Sequence, residues 1–395
     1  MYYYKREEHP SYARDIGGKM STEDRFARAP LPVPDLPRDI SGGEWDTGHV
    51  QGIAVDGDRR YVYYSFTTVL VKTDIHGNLI GSVSGLTGHL GCISFNYEDG
   101  KVYGSIEYKH DAIGQGIMKR TGRALAEEDA FYIAIFDVDR ITSVGLDAEK
   151  DGIMTAVYLP DVVSDFSAPG AAGARHRYAC SGIDGTGFGP DFGAPAGSPH
   201  MLHVAYGIYG DNGREDNDHQ VILRFDQRRF AALAKPLNQD HPHHSGVRAD
   251  RKYFLWTGNT NWGVQNLEYD SWLDAWVLAV YRGSKPGFRN PPMFIADRRA
   301  APVMRELRGL GGEVGETLEL LPLGVQDEEN CLWGCDWPKG STGMASLGGG
   351  YWYFSFDGRY KRENPDGTST RINTCHVKLV RFTGKAPELF ETVEE

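Results

Sequence analysis

The chain has 395 residues and carries 42 Lys and Arg against 54 Asp and Glu, a net charge of −12. This balance argues against general binding of nucleic acid or of an anionic membrane surface, because both need an excess of clustered positive charge. The 49 glycines and the 12% aromatic content are typical of a folded, turn-rich β protein. No apolar run approaches the roughly 20 residues that span a bilayer, so we expect neither a membrane nor a nucleic acid as partner.

The first part of the chain, residues 1–45, is polar and rich in proline and reads as an extended N-terminal arm. The segment that follows Met1 has no apolar core of the kind that signal peptides contain. Location therefore stays open: secreted or periplasmic if a signal peptide has been removed, and cytoplasmic if Met1 is native. Five cysteines, an odd and sparse set, imply no disulfide framework.

From residue 46 to residue 385, short runs of Val, Ile, Tyr, Phe and Trp alternate with turns such as Asp56-Gly57 and His76-Gly77. Roughly 25 such runs without long crossover helices predict an all-β fold, and a β-propeller accommodates many short strands with few exposed edges. At about 50 residues per blade, six or seven blades fit. A pair of β-sandwiches is the alternative.

We therefore divide the chain into the arm 1–45, a β-propeller catalytic domain 46–385 and a C-terminal tail 386–395. A propeller closes its ring by pairing strands from the two ends of the domain. The sequence predicts this closure between a strand near 49–54 and the strand 376–382.

Polar and titratable residues recur at the junctions between the predicted strands. Histidines with adjacent glycines, His49 and His89, can be held at fixed exit angles. Each junction histidine alone also fits a loop side chain bonded to a carbonyl group. As a set, they favour a central canyon suited to acid–base work, and the junction residues singled out are His49, His89, His110, Arg175, Arg177, Tyr209, Arg214 and His219.

No standard nucleotide, protease or hydrolase motif is present, and we expect no organic cofactor. Cys331 and Cys335, together with the histidines of segment 241–244, are residue types that bind zinc, although their spacing is not diagnostic and buried free cysteines fit equally well. Segment 217–219 also carries groups that bind cations. A structural metal ion, zinc or calcium, stays open, with its ligands unassigned.

Several longer strings carry a resemblance that covers most of residues 46–385. They look like the seven-bladed β-propeller polysaccharide lyases, which include ulvan lyases and L-rhamnose-α-1,4-D-glucuronate lyases, with a related α-L-rhamnosidase branch. The strings are 89–96, 99–111, 180–190, 205–211 and 257–269. The resemblance implies seven blades, a canyon on one propeller face, an anionic glycan as substrate, and often a bound metal ion.

The chemistry of such a lyase explains which residues it needs. Removal of the C5 proton of a uronate builds negative charge onto the carboxylate, which an arginine pairs with best. A histidine or tyrosine then takes the proton, and an acid protonates the leaving O4.

By position, the resemblance implies that His89 and His110 are the paired histidines, that Tyr158 is the downstream tyrosine, with Tyr178 competing, and that Tyr209 is the second. The neutralising arginine is Arg175 or Arg177. Substrate-binding roles fall to His49, Arg214 and His219.

The function predicted is therefore a lyase that cleaves rhamnose–glucuronate linkages by β-elimination and leaves an unsaturated uronate. Two alternatives stay open. His49 lies where the rhamnosidase branch places its hydrolytic histidine, so hydrolysis of the same linkage is the first. A carbohydrate-binding propeller without catalysis is the second. Oligomeric state is not predicted.

Overall fold

The structure, a computed structural model, describes residues 32–394. Most of the predicted N-terminal arm, residues 1–31, lies outside the described residues. The remainder is an all-β fold of 25 strands, with two α-helices, α1 (Ala112–Thr121) and α2 (Pro160–Ser167), in the described residues. Neither helix is long and apolar enough to cross a membrane. Short 3-10 helices lie at Val138–Arg140, Ala171–Gly173, Arg177–Ala179 and Gln227–Ala232.

The strands form antiparallel sheets that follow one another along the chain. The first blade contains β2 (Val50–Val55), β3 (Tyr61–Phe66), β4 (Val69–Asp74), β5 (Leu79–Ser84) and, parallel to β5, β9 (Leu146–Asp147). The second contains β6 (His89–Asn96), β7 (Lys101–Tyr108), β8 (Ala130–Phe136) and β10 (Met154–Tyr158).

The later sheets are less regular. The third contains β11 (Cys180–Pro190), β12 (His200–Ile208), β13 (His219–Phe225), β14 (Arg251–Trp256), β19 (Val314–Thr317) and β18 (Val303–Glu306). The fourth contains β15 (Asn261–Asp270), β16 (Ala275–Tyr281) and β17 (Met293–Asp297), and a separate hairpin follows it, β20 (Val325–Asp327) with β21 (Leu332–Gly334). The fifth contains β22 (Met344–Gly348), β23 (Tyr351–Glu363), β24 (Ser369–Phe382), β1 (Asp39–Trp45) and β25 (Phe390–Thr392).

These sheets are the blades of a β-propeller. The innermost strands β2, β6, β11, β15 and β22 contact one another in that order, and β22 contacts β2, which closes the ring. Each junction between neighbouring blades holds its own cluster of buried apolar side chains, such as Tyr132 between the first two blades and Trp352 between the last two. Burial at these junctions is what fixes each blade against the next.

The structure has five blades within residues 32–394, and the predicted count of seven is not confirmed. The reason is visible in the spacing of the innermost strands, which begin at residues 50, 89, 180, 261 and 344 and are therefore about 40 to 90 residues apart. The count of six or seven assumed about 50 residues per blade. Long connecting segments, including those that contain α1 and α2, take up chain that this assumption counted as further blades.

The prediction that a strand near residues 49–54 closes the ring by pairing with 376–382 is wrong, because an earlier strand does so. Asp39–Trp45, from the end of the predicted arm, pairs antiparallel with β24, with Asp39 opposite Lys378 and Trp45 opposite Asn373. The segment expected to do this forms β2, the innermost strand of the first blade. β1 carries few apolar residues, because only one of its faces packs against the core.

Candidate active site

A cavity of about 260 Å³ opens at the axis of the propeller. Innermost strands and the loops before them supply its polar wall, and β7 and β16 add residues from the second and fourth blades. Helix α1 covers one side and contributes Ile113, Ile117 and Arg120. Polar side chains in the wall are His49, Gln51, Thr67, His89, Glu107, Lys109, Asp184, Gln265 and Tyr281.

A buried charge cluster forms the floor. Nζ of Lys109 lies 2.6 Å from Oε1 of Glu107, and its ammonium group also donates to the carbonyl of Ser181 at 2.5 Å. Both charged side chains are nearly inaccessible, at 3% and 2% exposure. Burial works to lower the pKa of Lys109, but the carboxylates of Glu107, Asp111 and Asp184 raise it above its usual value. Lys109 is therefore a fixed cation.

A glycine makes room for the Glu107 carboxylate. Gly182 has φ of +120°, and a Cβ there would lie 1.9 Å from Oε2 of Glu107. The neighbouring backbone N–H of Ile183 donates to that same oxygen at 3.1 Å. Each carboxylate oxygen of Glu107 thus has a partner, Lys109 for Oε1 and Ile183 for Oε2, which suits positioning rather than direct reaction.

His89 and Asp184 lie on this floor and face the cavity. Nδ1 of His89 lies 3.4 Å from Oε1 of Glu107 and 3.9 Å from Oδ1 of Asp184, and Nε2 of Gln265 donates to Asp184 at 3.1 Å. Burial, reinforced by the charge of Glu107, raises the pKa of Asp184 to about 7 despite the opposing charges of His89 and Lys109. Near neutrality Asp184 therefore holds a proton that it can give away.

The opposite wall holds a histidine–tyrosine pair. Nε2 of His49 and the hydroxyl group of Tyr281 hydrogen bond at 2.9 Å. Burial, followed by the charge of His89, lowers the pKa of His49, so its ring is neutral at pH 7. Burial and then Asp184 raise the pKa of Tyr281, which keeps its proton. One cavity thus contains a neutral base and two proton donors.

Helix α1 is tied to the charge cluster through its first turn. Asp111 caps it by accepting from the backbone N–H groups of Ile113 at 2.9 Å and Gly114 at 3.1 Å. The hydroxyl group of Tyr209 donates to Asp111 at 3.0 Å, and Lys109 lies 3.4 Å away. At the other end of the helix Arg120 is exposed at the cavity mouth and makes no ion pair within the described residues.

Of the residues predicted from sequence, the structure brings His49 and His89 into this cavity, and it places Tyr209 beside it through Asp111. His110, although it adjoins Lys109, pairs through Nδ1 with Asp129 at 3.0 Å outside the cavity. Tyr158, at the edge of the second blade, stacks on His244 with ring centroids 4.7 Å apart.

The arginines predicted to hold a carboxylate also lie elsewhere. Arg177 pairs with Glu313 at 2.7 Å, and Arg214 pairs with Asp216 at 2.8 Å and donates to the backbone carbonyl of Arg175. Arg175 itself is exposed. None of these three side chains lines the central cavity, so they form no shared group with His89.

His219 belongs to a second cavity of about 320 Å³ at the third blade. It is 5% exposed, Nδ1 has no hydrogen-bond partner in the described part of the chain, and burial followed by the charge of Arg308 lowers its pKa to about 4. The guanidinium group of Arg308 lies 4.7 Å from the ring centre of Trp256. Arg305 in this wall pairs with Glu319 at 3.0 Å.

The proposed metal ligands do not assemble. All five cysteines are free, Cys335 is buried and Cys331 is exposed. Within residues 32–394, no group of three or more His, Cys, Asp or Glu side chains is arranged to hold a metal ion.

Sequence reasoning missed Glu107, Lys109, Asp184, Gln265 and Tyr281. A signal for the first two was available, because Glu107-x-Lys109 places opposite charges on the same face of a strand. The other three lie inside β-strands of the third blade (Asp184) and the fourth blade (Gln265 and Tyr281), and only the closed ring brings them to Glu107 and Lys109 of the second.

No family model and no curated protein matches the chain. Solved structures similar to it include the Dos1 propeller, with 10% identity, a TM-score of 0.28 and coverage of 86% of this chain and 80% of that one. A Pseudomonas aeruginosa periplasmic gluconolactonase has 11% identity, a TM-score of 0.32 and 87% coverage of both chains. The pyranose dehydrogenase PQQ domain from Coprinopsis cinerea has 12% identity, a TM-score of 0.33 and coverage of 83% and 81%.

Proposed function

We propose that the central cavity is the active site of a carbohydrate-active enzyme that cleaves a uronate-containing glycan by β-elimination. The observation that carries this proposal is the pairing of His49 with Tyr281 in the same cavity as the protonated Asp184. Elimination needs a base, an acid and a cation for the carboxylate. The cavity has residues for all three tasks.

Arg120 takes the role that the sequence assigned to Arg175 or Arg177. Its exposed guanidinium group at the mouth pairs with the substrate carboxylate bidentately and stays charged at every working pH. This contact draws off the negative charge that develops when the C5 proton leaves. Lys109 does not serve, because Glu107 already occupies it.

Proton transfer then follows the two walls of the cavity. The hydroxyl oxygen of Tyr281 takes the C5 proton as its own proton moves to Nε2 of His49. A double bond forms between C4 and C5, the C4–O4 bond breaks, and Asp184 gives its proton to O4. His89 and Glu107 position Asp184 and set its charge. A cavity of about 260 Å³ suits one terminal sugar, and the rhamnose–glucuronate linkage is the substrate that the sequence resemblance indicates.

Hydrolysis of the same linkage is the second candidate. It is favoured by one observation: Glu107 and Asp184 are two carboxyl groups that both lie within 4 Å of Nδ1 of His89. Glycosidases use such a pair, one as acid and one as base or nucleophile. The ion pair of Glu107 with Lys109 and the hydrogen bond that it accepts from Ile183 weigh against this role.

The test follows absorbance of the unsaturated uronate and release of reducing sugar from a rhamnose–glucuronate oligosaccharide. We expect both signals, and His49→Gln lowers them at least a hundredfold. His110→Gln is the matched control, because this histidine is exposed and pairs with Asp129. Release of reducing sugar without absorbance from the unsaturated uronate would reject elimination and support hydrolysis. Glycan binding without either product would reject both reactions and support a carbohydrate-binding propeller.

A further inference from the structure

A long β-hairpin projects from the fifth blade beyond its neighbours. β23 and β24 pair continuously from Tyr351 opposite Arg381 to Glu363 opposite Ser369. On one side β1 ends at Trp45, opposite Asn373, and on the other side β22 pairs no further than Phe354. The outer part, residues 358–372, therefore has no neighbouring strand in the described part of the chain. We call it the basic hairpin.

This hairpin concentrates positive charge in a protein whose net charge is −12. Its exposed cations make no ion pair within residues 32–394, and they are Arg359, Lys361, Arg362 and Arg371. Elsewhere on the surface arginines are commonly paired, as Arg228 is with Asp226 at 2.7 Å. Unpaired cations on a projecting element are free to meet an external anion.

The register places like charges opposite each other. Lys361 lies directly across from Arg371, an arrangement that destabilises a strand pair unless an anion lies between the two. Side chains alternate along a strand, so Arg359 shares this face, whereas Arg362 lies on the other. One face of the hairpin thus carries three cations close together, with the carboxylates of Asp357 and Glu363 before and after them along β23.

The cationic face is near the cavity mouth. Arg359 lies opposite Asn373, and the side-chain amide of Asn373 donates to the backbone carbonyl of Thr47 at 2.6 Å, two residues before His49. In keeping with this, the charges of Arg359 and Arg120 help burial and His89 to lower the pKa of His49, while Asp357 opposes them. Asp357 and Arg359 are two residues apart in β23 and so lie on one face, the face that also carries Lys361. Arg120 comes from α1, which connects β7 and β8 of the second blade. The second and fifth blades therefore each place a cation near the cavity mouth, Arg120 and Arg359.

We propose that the cationic face of the basic hairpin binds the part of an anionic polysaccharide that extends out of the cavity, so that the protein acts on chains rather than on isolated small saccharides. This inference rests on the proposed action on an acidic glycan. The cavity holds the reacting uronate, which carries the leaving sugar on O4, and Arg359, Lys361 and Arg371 contact carboxylates of the sugars that extend beyond the cavity.

The test measures binding and turnover separately, with linear glucuronan and a rhamnose–glucuronate disaccharide as probes. The variant Lys361→Ala/Arg371→Ala weakens binding of glucuronan about tenfold at low salt, and raising the salt reduces the difference. Arg362→Ala, on the opposite face of the same hairpin, changes it less than twofold. Turnover of the disaccharide is the same in all three proteins. The double variant also unfolds at the same temperature or a higher one, because it removes the like-charge pair.

The outcomes separate the two proposals. Equal glucuronan affinity in the double variant and the parent overturns the hairpin inference, whether or not the disaccharide is cleaved. Equal loss in the double variant and in Arg362→Ala also overturns it, because general charge then explains binding. Glucuronan binding that depends on Lys361 and Arg371, without cleavage of any glycan, retains the hairpin site and rejects the proposed elimination.

Discussion

The two cavities of this propeller each contain a histidine with a lowered pKa, the half-buried His49 and the buried His219, but their surroundings differ. At the axis, His49 and His89 lie among carboxyl, phenol and amide groups from four blades. At the third blade, His219 lies among Leu255, Leu318 and Trp256. Nδ1 lacks a hydrogen-bond partner in both His89 and His219 within the described residues, but Glu107 and Asp184 lie within 4 Å of His89, and no described carboxylate lies that close to His219.

A histidine becomes an acid–base group through its neighbours. Proton transfer needs a second group that can give or receive the proton within hydrogen-bond reach. His49 has Tyr281 at 2.9 Å, whereas His219 packs edge-on against Trp256 with ring centroids 5.0 Å apart. We therefore assign reaction to the axis and packing or binding to the third blade.

The largest effect that tests this assignment is on catalysis. Asp184→Asn removes the proton donor, and kcat/KM falls about 10²- to 10⁴-fold. In the parent, activity falls as pH rises through the pKa of Asp184, about 7, and it also falls in acid, as pH drops through the lowered pKa of His49 and the ring becomes protonated. In the variant, the fall in activity at high pH is lost. A series of kcat/KM measurements across pH shows both the drop in activity and the change in its pH dependence, and Asp58→Asn, at an exposed position, is the control. If activity in Asp184→Asn still falls at high pH, another group donates the proton.

Next in size is a loss of stability at the axis. Lys109→Met leaves Glu107 buried with an uncompensated charge, which destabilises the fold by about 3–5 kcal/mol. Denaturant unfolding measures it, and Lys150→Met, which breaks the exposed pair with Asp147, is the matched control with little change. The double variant Glu107→Gln/Lys109→Met recovers part of the loss. A single variant as stable as its parent would contradict the buried pair.

His219→Phe tests the second cavity through acid stability. The pKa of His219 is lowered to about 4 in the fold, so its neutral form contributes stability above pH 6.5 that is lost as pH falls toward 4. The variant is therefore more stable than the parent by up to about 3 kcal/mol at pH 4, and the difference is small at pH 8. Thermal unfolding across this range measures it. We expect the variant to turn over the glycan at the rate of the parent. A tenfold loss of turnover would show that the second cavity takes part in the reaction.

The smallest effect concerns Tyr209. Tyr209→Phe removes one hydrogen bond to Asp111 at the cap of α1, a loss of about 0.5–1.5 kcal/mol in unfolding free energy. Turnover changes by no more than a few-fold, because the tyrosine contacts the cap and not the floor of the cavity. A hundredfold loss of kcat would instead support the catalytic role that the sequence resemblance implies for it.

The sequence predicted the β-propeller because its strands are short, aromatic and bounded by turns, features that depend only on local residues. The number of blades depends on which connections form strands. The segment 226–250 between β13 and β14, for example, contributes one short 3-10 helix and two isolated β-bridges to β10 rather than a blade of its own. No period in the residues distinguishes such connections from blades.

The site was predicted in part for the same reason. His49 and His89 follow glycines at strand junctions, a local signal, and both line the cavity. Arg175 and Arg177 are equally conspicuous in the sequence, yet Arg177 pairs with Glu313, 136 residues further along the chain, and does not reach the axis. Asp184 is inconspicuous among glycines, and its raised pKa arises from burial and Glu107, which only the assembled ring provides.

The closure of the ring by β1 has a consequence for how the protein is made. Asp39–Trp45 leaves the ribosome before its partner β24, which follows about 330 residues later. During that interval the edge of β1 has no partner, and the first blade lacks its neighbour on one side. The ring therefore cannot close until translation has passed β24, and the open edge of β1 can pair with other chains until then.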